Sequence, residues 1–198
     1  MNVFTSENLF AEKVTPEKSG TDHCIKDLIR LFDQTFATSE NTRLVRGEGE
    51  PVYLPASDEV SYHRIEFANG FFSSGLHEIA HWCVAGKARR QVEDFGYWYK
   101  PDGRTHEEQN EFEQVEVVPQ AFEWVMSVAA GCPFRVSADN LSGEDRSDEE
   151  FKQKVYSEVV RRLEQGLPDR LSLFVEALQA RYNPDIVLSP GLFSLENL

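Results

Sequence analysis

The stretch His77-Glu78-Ile79-Ala80-His81 constrains this chain more than any other. Histidines four positions apart share one face of an α-helix, with Cβ atoms about 5–6 Å apart, so a helix here lets both imidazoles reach one metal ion. The flanking residues agree. The helix is expected to begin between Phe71 and Ser74, with Ser73 or Ser74 as its cap, and to run through Ala85. Gly86 can terminate it, and Lys87, Arg89 and Arg90 suit its negative end. Leu76, Ile79, Ala80 and Val84 are its expected buried surface.

A metal needs a third protein ligand, and the next helical pattern, Thr105 to Ala130, offers His106, Glu111, Glu113, Glu116 and Glu123. Phe112, Val115, Val118, Phe122, Val125, Met126 and Ala129 define its apolar face. Pro119 lies inside this pattern and predicts a kink or a restart, because proline removes one ladder hydrogen bond and crowds the preceding turn. Glu113 and Glu116 share a face among valines, where an unpaired carboxylate would be expensive. Glu116 is the first choice as ligand and Glu113 the second, with Glu113 otherwise hydrogen-bonded to a histidine ring. His106 sits in the charged start of the segment and reads as a surface residue, while His23 and His63 read as solvated or core histidines.

Two histidines and one carboxylate leave coordination positions open. With zinc the set polarises water for peptide hydrolysis, with Glu78 as general base. With Fe(II) it is the triad that activates dioxygen. Ligand identity does not separate the two. The 2-oxoglutarate oxygenase order, His-x-Asp/Glu followed by a distant histidine, is absent, since no histidine follows His106-Glu107-Glu108.

Charge narrows the partners. With 34 acidic against 20 basic residues and a net charge of -14, the chain lacks the basic surplus that duplex nucleic acid requires. Cys24, Cys83 and Cys132 are too few and too scattered for a disulfide framework and read as reduced, cytoplasmic thiols. Neither a secretion signal nor a run of about 18 apolar residues is present, so no membrane association is expected.

The remaining segments supply the frame. Residues 1–20 are polar and aperiodic and are expected to form a flexible tail. Ile25, Leu28, Ile29, Phe32 and Phe36 form a helical stripe that Thr21 or Asp22 could cap. Arg43-Leu44-Val45, Pro51-Val52-Tyr53-Leu54 and Arg64-Ile65-Glu66-Phe67 read as two or three short strands between glycines and prolines. Phe95-Gly96-Tyr97-Trp98-Tyr99 is an aromatic run close to the histidines, and Tyr97 and Trp98, with Asp94 and Glu113, are candidates for a substrate pocket. Ser147-Asp148-Glu149-Glu150 has capping-box spacing ahead of Phe151, Val155, Val159 and Leu163. A last helix begins at Pro168 or Asp169 and carries Leu171, Phe174, Val175 and Leu178, followed by a C-terminal tail over 183–198.

Longer runs carry a resemblance. Residues 69–90, Asp94-Phe95-Gly96-Tyr97-Trp98-Tyr99 with Pro101-Asp102-Gly103-Arg104, and Phe112-Glu113-Gln114-Val115-Glu116-Val117 with Pro119-Gln120-Ala121 resemble the bacterial elongation factor P hydroxylase family. Asn41-Thr42-Arg43-Leu44, residues 51–56, Val128-Ala129-Ala130-Gly131 and Asp139-Asn140-Leu141 match as well, so the similarity covers roughly residues 22 to 182. The resemblance implies an Fe(II)-dependent monooxygenase-type enzyme that hydroxylates the lysine of elongation factor P after β-lysylation. Its histidine ligands fall on His77 and His81, its carboxylate on Glu116, and zinc remains a metal the same site could carry. Acidic residues such as Glu66, Glu78, Glu113 and Asp94 would suit a long cationic substrate. A zinc metallopeptidase with Glu78 as base, and a non-catalytic metal-stabilised protein that binds a translation factor, are the alternatives.

The expected fold is an α+β, mainly helical single domain over residues 21–182. In it a histidine helix and a glutamate helix surround a metal site on a metallopeptidase-like scaffold with a small sheet.

Overall fold

The computed structural model describes residues 23–68, 70–96, 104–137 and 149–198. The first helix, α1 (Ile25–Phe36), buries Leu28, Phe32 and Phe36, the apolar stripe its sequence predicts. Its N-cap is Cys24, which makes no side-chain cap bond, and the expected caps Thr21 and Asp22 lie outside the described residues.

Three short strands follow, β1 (Thr42–Arg46), β2 (Val52–Leu54) and β3 (His63–Phe67), in the order β1-β3-β2. β1 runs parallel to β3 with Leu44 opposite Ile65, and β2 runs antiparallel to β3 with Tyr53 opposite Ile65. Period two sends Leu44, Ile65 and Phe67 into the core. The sheet packs on α1 and on α2 (Phe72–Val84), the helix that carries the histidines.

Where α2 begins and what it buries differ from expectation. Phe71 occupies the N-cap and no side chain caps the first turn, so neither Ser73 nor Ser74 serves. Leu76, Ile79 and Ala80 are buried, but Val84 is 42% exposed, and Trp82 and Cys83 take its place in the core. The reason is local. Gly75 lets α1 approach so closely that a Cβ there would lie 2.6 Å from Leu28 Cδ2, and Trp82, two turns later, shares that face of α2. The Trp82 ring then meets Phe32 and Phe36 edge-on at 5.3 and 4.9 Å, and Phe174 joins both phenylalanines from α5 (Asp169–Tyr182). From α5, Arg170 lies over the Trp82 ring and donates through Nη2 to the carbonyls of Cys83 and Ala85, capping the last turn of α2.

The longest helix, α3 (His106–Ala130), opens with a capping box: Glu108 N donates to Thr105 Oγ1, and Thr105 N donates to Glu108 Oε2. It closes on Gly131 at φ 68°, where Cys132 N donates to Ser127 O and Gly131 N to Val128 O. Between these ends it runs through Pro119 as one helix, so that of the expected kink or restart the restart does not occur. An interior proline costs about 3 kcal/mol, whereas each fully buried large apolar side chain returns about 1.5–3. Phe112, Phe122, Trp124, Val125 and Met126 are all buried, so packing outweighs the lost bond.

α3 packs on α2, α4 (Glu149–Gln165) and α5, and is therefore covered on several sides. Its buried face accordingly departs from the apolar stripe: Val115 and Val118 are half-buried, while Gln109, Glu113, Glu116 and Gln120 are buried. α4 contributes Phe151, Val155 and Val159, with Leu163 of its expected stripe only half-buried, and α5 contributes Leu171, Phe174, Val175 and Leu178, as its period predicts. Ser147 and Asp148, the start of the expected capping box, lie outside the described residues. After Tyr182 the chain has no regular period, yet Phe193 is buried edge-on against Trp124 at 5.0 Å. The domain is thus mainly helical with one small sheet, and among the described residues no helix is long and apolar enough to cross a membrane.

Candidate metal centre

α2 turns His77 and His81 toward α3, which answers with Glu116, Gln120 and Glu123, spaced four and three apart on one helical face. His77 Nε2 lies 3.1 Å from His81 Nε2, His81 Nε2 lies 3.3 Å from Glu116 Oε1, and His77 Nε2 lies 3.9 Å from Glu116 Oε2. One donor atom from each of the three residues falls within 4.8 Å of the others. Ligands about 2.0–2.2 Å from one ion stand about 3–3.5 Å apart, so the His77–His81 and His81–Glu116 separations match a single metal and the 3.9 Å from His77 to Glu116 is slightly long.

Two of the three donors are oriented from behind. His77 Nδ1 donates to Glu123 Oε2 at 2.8 Å, which turns the Nε2 lone pair toward His81 and Glu116. Glu123 therefore holds the role expected of Glu113. Glu113 is buried one turn before Glu116 and accepts from Gln109 Nε2 at 3.4 Å. Gln120 Nε2 donates to Glu116 Oε2 at 3.3 Å.

Electrostatics favour a cation at this point. Burial works against a charged His77, but the hydrogen bond to Glu123 and the carboxylates of Glu123, Glu78 and Glu116 outweigh it and raise its pKa to about 10. Burial also disfavours a charged Glu116, yet both imidazoles and the Gln120 amide overcome it and hold that carboxyl below its usual range. Glu78 behaves oppositely: burial dominates the pull of the two histidines, and its pKa is raised.

The fit to a metal rests on Glu116. Its side chain is fully buried, and no aligned donor reaches Oε1, although His81 Nε2 stands 3.3 Å away. A buried carboxylate oxygen without a donor is costly, and an ion held between it and the imidazole lone pairs would satisfy all three atoms.

The other candidates are placed as follows. Asp94 is engaged by Arg89 Nε and Nη2, accepts from Gly96 N, and pairs its backbone with Tyr53 at the β2 edge. A carboxylate so neutralised has little charge left for a substrate. Tyr97 and Trp98 lie outside the described residues. His106 is exposed at the start of α3, His63 Nδ1 accepts from Ala56 N, and His23 bonds the Ala130 carbonyl. The partnership of Glu123 with His77 was not legible in the sequence: the 116-120-123 spacing puts Glu123 on the same face as Glu116 but does not say which histidine it meets.

Fold and site together define a class: a mainly helical domain in which a His-Glu-x-x-His helix and a glutamate-bearing helix bring two imidazoles and one carboxylate to a common point. Residues 31–191 match the sequence family described as Elongation factor P hydroxylase. The chain is also 54% identical over 164 residues, 83% of its length and 92% of the relative's, to the Elongation factor P lysine hydroxylase of Haemophilus influenzae. The chain belongs to the elongation factor P hydroxylase family.

Proposed function

We propose that this protein is an iron-dependent hydroxylase of the lysylated lysine of translation elongation factor P, with His77, His81 and Glu116 as the metal ligands and the cytoplasm as its place of work. The observation that carries the reading is the meeting of these three side chains, oriented by Glu123 and Gln120, in a chain of this family. Iron bound there would supply the oxidising chemistry that no side chain provides, activation of dioxygen toward a C–H bond.

The residues divide the work. Glu123 fixes the His77 tautomer, so that Nε2 is the coordinating atom. Glu116 stays ionised and contributes negative charge that favours a divalent cation. His77, His81 and Glu116 would hold the ion by three protein ligands, a number that would leave room for dioxygen. Glu78, whose raised pKa favours the protonated carboxyl, can hold or release a proton next to the site. Glu113 adds negative charge one turn away, in keeping with a cationic lysyl substrate. We also read α2 and α3 as a metallopeptidase-like pair turned to oxygen chemistry. Its support is the position of Glu78 between the histidines and of the third ligand on the following helix.

The test is mass spectrometry of lysylated elongation factor P incubated with the Fe(II)-loaded protein and a reductant. One added oxygen atom on the modified lysine is expected. No mass gain, together with peptide cleavage by the zinc-loaded protein, would overturn the reading in favour of a peptidase.

A further inference from the structure

We propose that Gln120 is a positioning residue of the metal site, which fixes the plane of the Glu116 carboxylate so that one oxygen faces the ion, and ties that carboxylate to the chain leaving α3 at Ser137. The inference rests on the reading of His77, His81 and Glu116 as ligands. Gln120 is only 2% exposed and lies one turn after Glu116 and one before Glu123, on the face that meets the histidines.

All its polar capacity is directed. The two ends of a glutamine amide are ordinarily interchangeable in a structure, but the backbone of Ser137 distinguishes them here. Ser137 N must meet an acceptor and Ser137 O must meet a donor, which fixes Oε1 on the former at 3.0 Å and Nε2 on the latter at 2.8 Å. One N–H remains on Nε2. It points at Glu116 Oε2, at 3.3 Å.

The carboxylate is thereby made asymmetric. Oε2 is occupied by the amide, while Oε1, which has no aligned donor, faces His81 Nε2 and is the oxygen left for a cation. Rotation of Glu116 about its last bond by anything short of a half-turn would carry the carboxylate plane off the Gln120 N–H and lose that hydrogen bond. A glutamate at position 120 could accept from Ser137 N, but it would set a second carboxylate against Glu116 and against the Ser137 carbonyl. An apolar residue would leave Glu116 free to turn. Merely filling a buried space would not require an amide whose orientation is set from outside the helix.

Co(II) is the probe, since it reports affinity and ligand geometry in one titration. Wild-type protein, Glu116→Gln, Gln120→Met and Gln120→Glu are titrated, and visible spectra of the loaded proteins and unfolding of the chelator-treated proteins are recorded. Both Gln120 variants are expected to bind Co(II) about 10- to 100-fold more weakly with shifted visible bands, a loss typical of groups that orient ligands. A purely structural role would lower only the unfolding midpoint. Wild-type affinity and spectrum in either folded variant would overturn the proposal while leaving the ligand set intact. Failure of the wild type itself to bind Co(II) would instead overturn the ligand reading. A measurement on the wild type covers variants that do not fold: exchange of the Ser137 amide should slow when Co(II) binds, and unchanged exchange would sink the coupling.

Discussion

Replacing Glu123 separates orientation from charge at the metal centre. Glu123→Gln keeps an oxygen able to accept from His77 Nδ1 across the 2.8 Å bond and removes only the charge. Glu123→Leu removes the acceptor as well and leaves an imidazole N–H without a partner, a loss of about 1–3 kcal/mol if water cannot reach it. Water partly can, because the His77 side chain keeps 30% of its surface and Glu123 keeps 12%. The expected loss for the leucine variant is therefore mid-range, about 2 kcal/mol or roughly 30-fold in metal affinity, and for the glutamine variant less than about tenfold. Competition against a chromophoric chelator, with Fe(II) under anaerobic conditions or with Co(II), measures both. A leucine variant within twofold of wild type would refute the claim that Glu123 orients the ligand. A glutamine variant as weak as the leucine variant would show that charge alone acts.

Four further outcomes are expected. Metal affinity should rise with pH, by about tenfold per unit across the neutral range, because an ion must displace the proton that His77 holds up to about pH 10; a flat profile in the same competition assay would contradict this. In chelated protein the raised His77 pKa stabilises the fold most below about 6.5, and that contribution is lost as pH climbs toward 10, which urea midpoints measured across that range will register. Phe174→Ala, at a fully buried ring that meets Phe32 at 5.6 Å, should cost about 3–5 kcal/mol in urea unfolding while metal affinity of the folded fraction stays near wild type. Glu78→Gln should keep its metal and measurable hydroxylation, whereas His81→Ala should lose both; complete loss in Glu78→Gln would assign the carboxyl an obligatory proton transfer.

Much of the frame was legible because its elements have a single buried side. The three strands stand where Leu44, Tyr53 and Ile65 alternate, and α5 turns inward the four residues its period marks. The proximity of His77 and His81 follows from helical spacing alone. What the sequence hid lies on α3. Periodicity weighs apolar residues, and a helix covered on several sides can bury Glu113, Glu116 and Gln120 while Val115 and Val118 stay half-exposed. Pro119 is held within one helix for a related reason, since its local cost is set against packing by residues distant in sequence. The serine cap failed because Phe71, not a serine, takes the extended backbone conformation before the helix. The Glu123–His77 and Gln120–Ser137 bonds are tertiary, and spacing within one helix cannot say which strand, helix or loop will meet it.

Arg170 has a consequence for how the site can open. His81 lies in the last turn of α2, the part of a helix that ordinarily frays on its own. Its terminal carbonyls are held from α5 by a guanidinium that also covers Trp82, the residue next to His81. Unwinding that turn therefore means breaking the Arg170 hydrogen bonds and its contact with the Trp82 ring. Order in the turn that carries His81 is thereby coupled to the seating of α5, so a change that weakens the Arg170 contacts should loosen His81 from a distance.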